Sequence, residues 1–332
     1  MTRVAVDALG GDRAPEDVVA GALEAAQDGI QPILFGSAGL DTGGLPLVEA
    51  PDRIGMEEKP AEAVRAKPNS SLVAACRAVG QGEAEAVVSA GNTGAMLAAC
   101  FVELRRLKGV ARPAIAVVIP SKRGPSVLID SGANVDARPE HLLQFAQMGA
   151  VFAEEVLEIH DPEVRLLSIG EEAEKGNQLT LEAHALLADA EGLRFAGNTE
   201  SRDLLLGAAD VVVCDGFTGN VVLKLLEGTI KVLLDTLREE ITASRRGRVG
   251  GLLIRPAARA MRNRLDPETY GGAYLLGLRG LAVIAHGNSS HRAIANAIRL
   301  AARGVEHDVV ARLAQRLPER VLASARSEPP GK

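Results

Sequence analysis

Six short stretches of this chain set glycines and small polar residues directly after a β-branched run, a combination suited to holding an anion. Gly10-Gly11-Asp12 follows residues 4–7, and Gly91-Asn92-Thr93 follows a run that ends at Ser89. Asn134 closes a Ser-Gly-Ala-Asn turn after residues 127–130, and Gly170-Glu171 follows residues 166–169. Gly216, Thr218, Gly219 and Asn220 come after residues 211–215, and His286 opens a Gly-Asn-Ser turn after residues 283–286. At the start of a helix the first backbone N–H groups have no partner within the helix, so a glycine turn there presents donors to a negative group. One such turn by itself reads as a strand-to-helix connection. Six that also carry Asp, Asn, Ser or Thr suggest a shared anion pocket. It is neither a P-loop nor a dinucleotide site, because GxxxxGK[ST] is absent and the first turn lacks GxGxxG.

The elements that must position these turns alternate strand, turn and helix. That order predicts an α/β layered sheet buried on both faces, with the turns gathered on one rim beyond the strand ends. Helical spacing is clear over 139–157 and 219–241. The chain is read as one large α/β unit over 1–332, with a flexible tail at 325–332.

Composition narrows the function. Aromatics are 2% of the chain, Trp is absent and the net charge is -6, which argues against nucleic-acid binding. Cys76, Cys100 and Cys214 sit apart in apolar stretches, as small buried hydrophobes of a reducing compartment do. No secretion signal opens the chain and no run is long enough to span a bilayer, so a cytoplasmic protein is expected. His286 and His291, at i,i+5, do not share a helical face, and neither metal nor cofactor is expected.

Residues 245–265 differ from everything else. They hold seven arginines and no acid, so +7 stands against -13 for the rest of a chain whose total is -6. Leu252, Leu253 and Ile254 lie among Arg248, Arg255, Arg259 and Arg262, and Gly250, Gly251 and Pro256 are expected to interrupt any helix there. Residues 242–266 therefore read as a protruding element that meets an anionic membrane or an acidic protein, or else as a subunit interface.

Several of these motifs together resemble the PlsX family of acyl-acyl-carrier-protein:phosphate acyltransferases. They are Asp7 through Asp12 with Ala14-Pro15, Ser89 through Ala95, Ser168 through Glu172 with Lys175-Gly176, Cys214 through Asn220, and 271–287 near the end. The resemblance runs over nearly the whole chain in order. It implies a three-layer α/β/α sandwich with a large mixed sheet, similar to isocitrate and isopropylmalate dehydrogenases and phosphotransacetylase. It also implies formation of acyl phosphate from acyl-acyl-carrier protein and inorganic phosphate for phospholipid synthesis, a homodimer, and peripheral membrane association. Ser201 stands where the family reads Gly, which a left-handed backbone would strain.

Phosphorolysis of a thioester needs no enzymic nucleophile, because phosphate attacks and a thiolate leaves. The site must hold a dianion beside the carbonyl, stabilise the charge that develops and exclude water. In that light Lys175 is the candidate cation, the alternative being an ion pair with Glu171 or Glu172. Asn220 would donate to the oxyanion or else cap its helix, and Asp215 would orient Lys175 or else bond its own turn. Asn92, Thr93 and Asn134 would supply further donors, with Asp7 and Asp12 shaping the turns. Competing readings are a phosphotransacetylase-like enzyme acting on acyl-coenzyme A, an NAD-linked dehydrogenase, and a non-catalytic carrier-protein scaffold.

Overall fold

The computed structural model describes residues 1–265 and 271–325, with side chains as far as Leu317. Asp266 and residues 326–332, the latter nearly all of the expected tail, lie outside the described residues.

The β-branched runs become strands of one sheet: β1 (Arg3–Asp7), β2 (Gln31–Gly36), β3 (Leu47–Glu49), β4 (Ala86–Ser89), β5 (Ala114–Pro120), β6 (Pro125–Ile129), β7 (Val164–Leu167), β8 (Phe195–Thr199), β9 (Val211–Val213), β10 (Ala273–Leu276) and β11 (Leu281–Ile284). The helices are α1 (Glu16–Ala26), α2 (Pro60–Ala66), α3 (Ser71–Gly80), α4 (Thr93–Glu103), α5 (Pro139–Val156), α6 (Gln178–Ala188), α7 (Gly216–Ala243), α8 (Arg245–Leu265), α9 (His291–Glu306) and α10 (Val309–Ala325).

Strand order is β3-β2-β1-β4-β11-β10-β5-β6-β9-β7-β8. From β3 to β11 the neighbours are parallel, and from β6 to β8 they are parallel again. Between these halves lie three antiparallel pairings, β11 with β10, β10 with β5, and β5 with β6. An odd number of reversals turns the second half upside down relative to the first. The turns after β1, β4 and β11 therefore leave one rim, and those after β6, β9 and β7 leave the opposite one. This corrects the expectation of a single shared rim.

Period-two alternation separates the two faces. Val4, Val6, Val127, Ile129, Val211 and Val213 face a core closed by α1, α5, α6, α9 and α10. Ala5, Val87, Ile115 and Ile284 face α2, α3 and α4, whereas Leu128 and Val212 face Leu223 of α7. The result is the expected three-layer α/β/α sandwich around a large mixed sheet. Its second cover is divided, and the two parts meet at Val117 of β5, which packs against both.

Helix α8 follows α7 after Ser244, whose extended backbone ends one helix and whose Oγ accepts the Gly247 N–H at 2.9 Å to cap the next. Residues 245–265 form one helix with Pro256 inside it, not the interrupted segment expected. Arg, Leu, Ala and Met are strong helix formers, and their sum outweighs three glycines and one proline. No residue of α8 is buried.

Candidate active site

On the rim of β6, β9 and β7, the buried Asp130 organises the first turn. Its Oδ1 accepts from the N–H groups of Ile115, Gly132 and Ala133 at 3.0, 3.2 and 2.9 Å. Its Oδ2 accepts from the Asn134 backbone N–H and Nδ2 at 2.7 and 2.8 Å. Burial pushes this carboxyl up, and it outweighs the hydrogen bonds, which favour the charged form. The Asn134 amide also donates to the Pro113 carbonyl at 2.8 Å, so it holds the turn together and is not a free donor.

Helix α7 begins against this turn. The Gly216 N–H donates to the Asn134 carbonyl at 2.8 Å. A Cβ on Gly216 would lie 2.7 Å from the Asn134 nitrogen, and one on Gly219 would lie 1.9 Å from the Asp130 carbonyl oxygen. Only glycines let the helix start so close. Asp215 is its N-cap, accepting the Thr218 N–H at 2.9 Å on Oδ1 and the Thr218 hydroxyl at 2.7 Å on Oδ2. Asn220 is thereby released from capping. It is exposed beside Gly132, and its side chain has no hydrogen bond among the described residues.

The Lys175 turn adjoins these two, because β7 pairs with β9 through Leu166 and Val213. Ser168 Oγ donates to the Lys175 carbonyl at 2.8 Å, and Asn198 Nδ2 donates to the Glu172 carbonyl at 2.8 Å. The backbone of the turn is fixed while the Lys175 side chain is exposed and in no ion pair among the described residues. Neither Glu171 nor Glu172 takes it. Strand order β6-β9-β7 thus brings Asn134, Asp215, Gly216, Thr218, Gly219, Asn220, Gly170, Glu171 and Lys175 to one rim.

The opposite rim holds Gly10, Gly11, Asp12, Ser89, Gly91, Asn92, Thr93 and His286. Here Asp7 is buried, accepting Ser71 Oγ at 2.5 Å and Ser89 Oγ at 2.7 Å, and burial again pushes its carboxyl up. Asn92 caps α4 by accepting the Ala95 N–H at 3.1 Å, and its Nδ2 donates to the carbonyls of Met56 and Glu58 at 3.0 and 3.1 Å. The expected pocket donor is spent on fastening a loop. Asp12 binds the β11 turn through its N–H to the Gly287 carbonyl at 2.7 Å. Arg53, which the sequence reading did not single out, donates to the Gly11 carbonyl at 2.8 Å.

Side chains of α7 link this rim to the other. Helix α7 runs back along the sheet until Lys224 and Glu227 reach His286, whose Nδ1 is 3.5 Å from Lys224 Nζ and whose Nε2 is 3.0 Å from Glu227 Oε1. Lys224 Nζ also lies 3.1 Å from Glu227 Oε2. Burial pushes the Glu227 carboxyl up, but the His286 and Lys224 contacts outweigh it and hold the group below its ordinary value. Sequence reasoning passed over Lys224 and Glu227; their signal was the spacing i, i+4, i+7 from Asn220.

The divided α/β/α sandwich is a fold shared with solved phosphotransacylases. The branched-chain phosphotransacylase of Enterococcus faecalis shares the fold with a TM-score of 0.61 at 19% identity, over 92% of this chain and 100% of that one. A phosphotransacetylase from Streptococcus pyogenes gives 0.60 at 17%, over 92% and 94%. Residues 2–312 match the family described as fatty acid synthesis protein. The phosphate acyltransferase of Heliobacterium modesticaldum is 46% identical over 96% of this chain and 98% of its own, and that of Thermus thermophilus 49% over 95% and 98%. The chain belongs to the PlsX family of phosphate acyltransferases.

Proposed function

We propose that this enzyme transfers the acyl group of acyl-acyl-carrier protein to inorganic phosphate. A phosphate oxygen bonds to the thioester carbonyl carbon and the carbon–sulfur bond breaks. The proton of monohydrogen phosphate ends on the carrier thiol, leaving acyl phosphate as the dianion. Glycerol 3-phosphate acylation in phospholipid synthesis would consume that product. The observation that carries the reading is the pair of uncommitted side chains, Lys175 and Asn220, on turns beside the α7 N-terminus. Lys175 would neutralise phosphate, and Asn220 with the helix N–H groups would stabilise the oxyanion. Attack by phosphate itself fits the thiols. All three cysteines are buried, and burial pushes Cys214, the nearest to this rim, further up, away from the reactive thiolate.

The test incubates pure protein with a long-chain acyl-acyl-carrier protein, with and without phosphate, and traps acyl phosphate as hydroxamate. Phosphate-dependent trapping that fails in Lys175→Ala and Asn220→Ala is expected. Trapping only from acyl-coenzyme A would make the enzyme phosphotransacetylase-like, and none from any thioester would leave a scaffold.

Helix α8 supports a peripheral place at the inner face of the cell membrane. None of its arginines is in an ion pair among the described residues, and Leu252 and Leu253 are 68% and 80% exposed. Among the described residues no helix is long and apolar enough to cross a bilayer. Its charge would attract anionic lipid at a rate that falls with salt. Reversing Arg259 and Arg262 to Glu is expected to abolish low-salt binding to vesicles containing phosphatidylglycerol; retained binding would refute the assignment. The exposed stripe Phe217, Val221 and Leu225 of α7 supports a homodimer, which sedimentation of the full chain at the mass of one copy would refute.

A further inference from the structure

The trio Lys224, Glu227 and His286 is not accounted for by the chemistry of Lys175 and Asn220, yet its polar side chains link α7 of one half of the sheet to the β11 turn of the other. Helix α7 has 28 residues, of which Gly216, Gly219, Leu223 and Ile230 alone are buried. Past its first turn, the trio supplies its side-chain hydrogen bonds to another element among the described residues. Its first turn is fixed against the Asn134 turn through Gly216 and Gly219, and beyond that turn the roll of the helix within one protomer rests on Leu223, Ile230 and this trio. At 100° per residue, Lys224 and Glu227 lie within about 40° and about 20° of Asn220 around that axis. Whatever fixes their direction also fixes the direction of the Asn220 amide, one and two turns nearer the catalytic rim.

The trio is suited to that task. Glu227 Oε1 is out of solvent, and its near donor is His286 Nε2, approached off the ideal hydrogen-bond direction. A sequestered carboxylate oxygen with one near donor is costly to release, unlike an exposed surface pair. An imidazole that turns an Nε2 proton toward Glu227 leaves Nδ1 to accept from Lys224, so the ring can close a cycle of three contacts. In that form the cycle pairs one ammonium with one carboxylate and has no net charge to offer phosphate, and positioning is the role left to it.

We propose that Glu227 and His286 are positioning residues for acyl transfer, clasping α7 to the β11 turn so that the Asn220 amide keeps its direction at the rim of β6, β9 and β7. The proposal rests on the assignment of Asn220 to the oxyanion. His286, expected from sequence as a substrate contact, acts here through α7 instead.

The full-length protein is assayed for phosphate-dependent acyl phosphate formation as His286→Ala, His286→Gln, Glu227→Gln and the double variant His286→Ala/Glu227→Gln, each with its thermal midpoint. Both single losses of the clasp are expected to lower kcat about tenfold while KM for phosphate and for acyl carrier change less than about threefold. The double variant is expected to be no slower than the worse single. His286→Gln, whose Nε2 can reach the same carboxylate, is expected to recover most of the rate. Wild-type kcat in His286→Ala and Glu227→Gln, multiplying losses in the double variant, or no rescue by Gln would each overturn the proposal. If instead Asn220→Ala leaves turnover intact, the oxyanion assignment falls, and the clasp with it.

Discussion

The two rims of the sheet are built from the same parts and put them to different uses. Each has a buried aspartate at a strand end, Asp7 as the last residue of β1 and Asp130 just after β6, and each has an asparagine whose amide is consumed by structural bonds. On the rim of β1 and β4, Asn92 holds Ala95, Met56 and Glu58. On the rim of β6, Asn134 holds Pro113 and Asp130. The difference is in what remains. The second rim also carries Lys175 and Asn220, a cation and an amide exposed and unbonded among the described residues, where the exposed and unbonded candidates of the first are Asp12 and Thr93, which bring no cation. Residue type finds candidates for chemistry, but freedom from structural bonding separates a reacting group from a fastening.

The largest expected effect tests that separation. Lys175→Ala and Asn220→Ala are expected to lower kcat by about 100-fold or more, as loss of an oxyanion donor does, with thermal midpoints close to wild type. Asn92→Ala is expected to show the converse: about 1–3 kcal/mol of stability lost with the cap and the loop bonds, and turnover per folded molecule nearly intact. Comparison of kcat with urea unfolding for the three variants decides it. A catalytic loss in Asn92→Ala as large as in Asn220→Ala would erase the distinction between rims.

Next come the aspartates. Asp130 accepts four backbone N–H groups, which cannot turn away, so Asp130→Asn sets an amide donor against fixed donors and is expected to cost about 2–3 kcal/mol. Two of the bonds to Asp7 come from the hydroxyls of Ser71 and Ser89, which can rotate and accept, so Asp7→Asn is expected to cost less than about 1 kcal/mol. Both carboxyls are pushed up by burial. A raised acid contributes stability that is present below its unfolded value, 3.8, and is lost as pH rises through the folded one. The stability of wild type relative to Asp7→Asn should therefore fall as pH is raised from about 4. A difference that grows with pH would contradict the burial argument.

Much of this was legible in the chain. All six polar turns follow strands, the helices over 139–157 and 219–241 fall within about three residues of α5 and α7, and all three cysteines are buried. Strand direction was not legible, because alternation of apolar residues records which face is buried and is identical for a strand read up or down. The clue lay in Ser121-Lys122-Arg123-Gly124 between two β-branched runs, a hairpin turn closed by Ser121 Oγ on the Gly124 carbonyl at 2.7 Å. That hairpin is one of the three reversals that invert the second half. The clasp was hidden for another reason: Lys224 and His286 are 62 residues apart, and no local pattern links them.

The smallest effects sharpen the comparison inside the catalytic rim, at its edge strand. Ser201, in place of the family glycine, raised the expectation of strain, but it opens a 3₁₀ turn, Ser201–Leu206, and is not at positive φ. The left-handed backbone is four residues earlier, at Gly197 with φ of 89°, where β8 carries an extra residue relative to β7. That bulge sets the strand course just before Asn198, whose Nδ2 pins the Lys175 turn through the Glu172 carbonyl. Gly197→Ala is therefore expected to cost about 1–2 kcal/mol and to lower kcat as well, although open space surrounds the position. Ser201→Gly should cost less than about 1 kcal/mol, through added freedom of the unfolded chain, and leave kcat unchanged. If Gly197→Ala lost stability with kcat intact, the Lys175 turn would be held without Asn198. If Ser201→Gly gained stability, the serine would be strained after all.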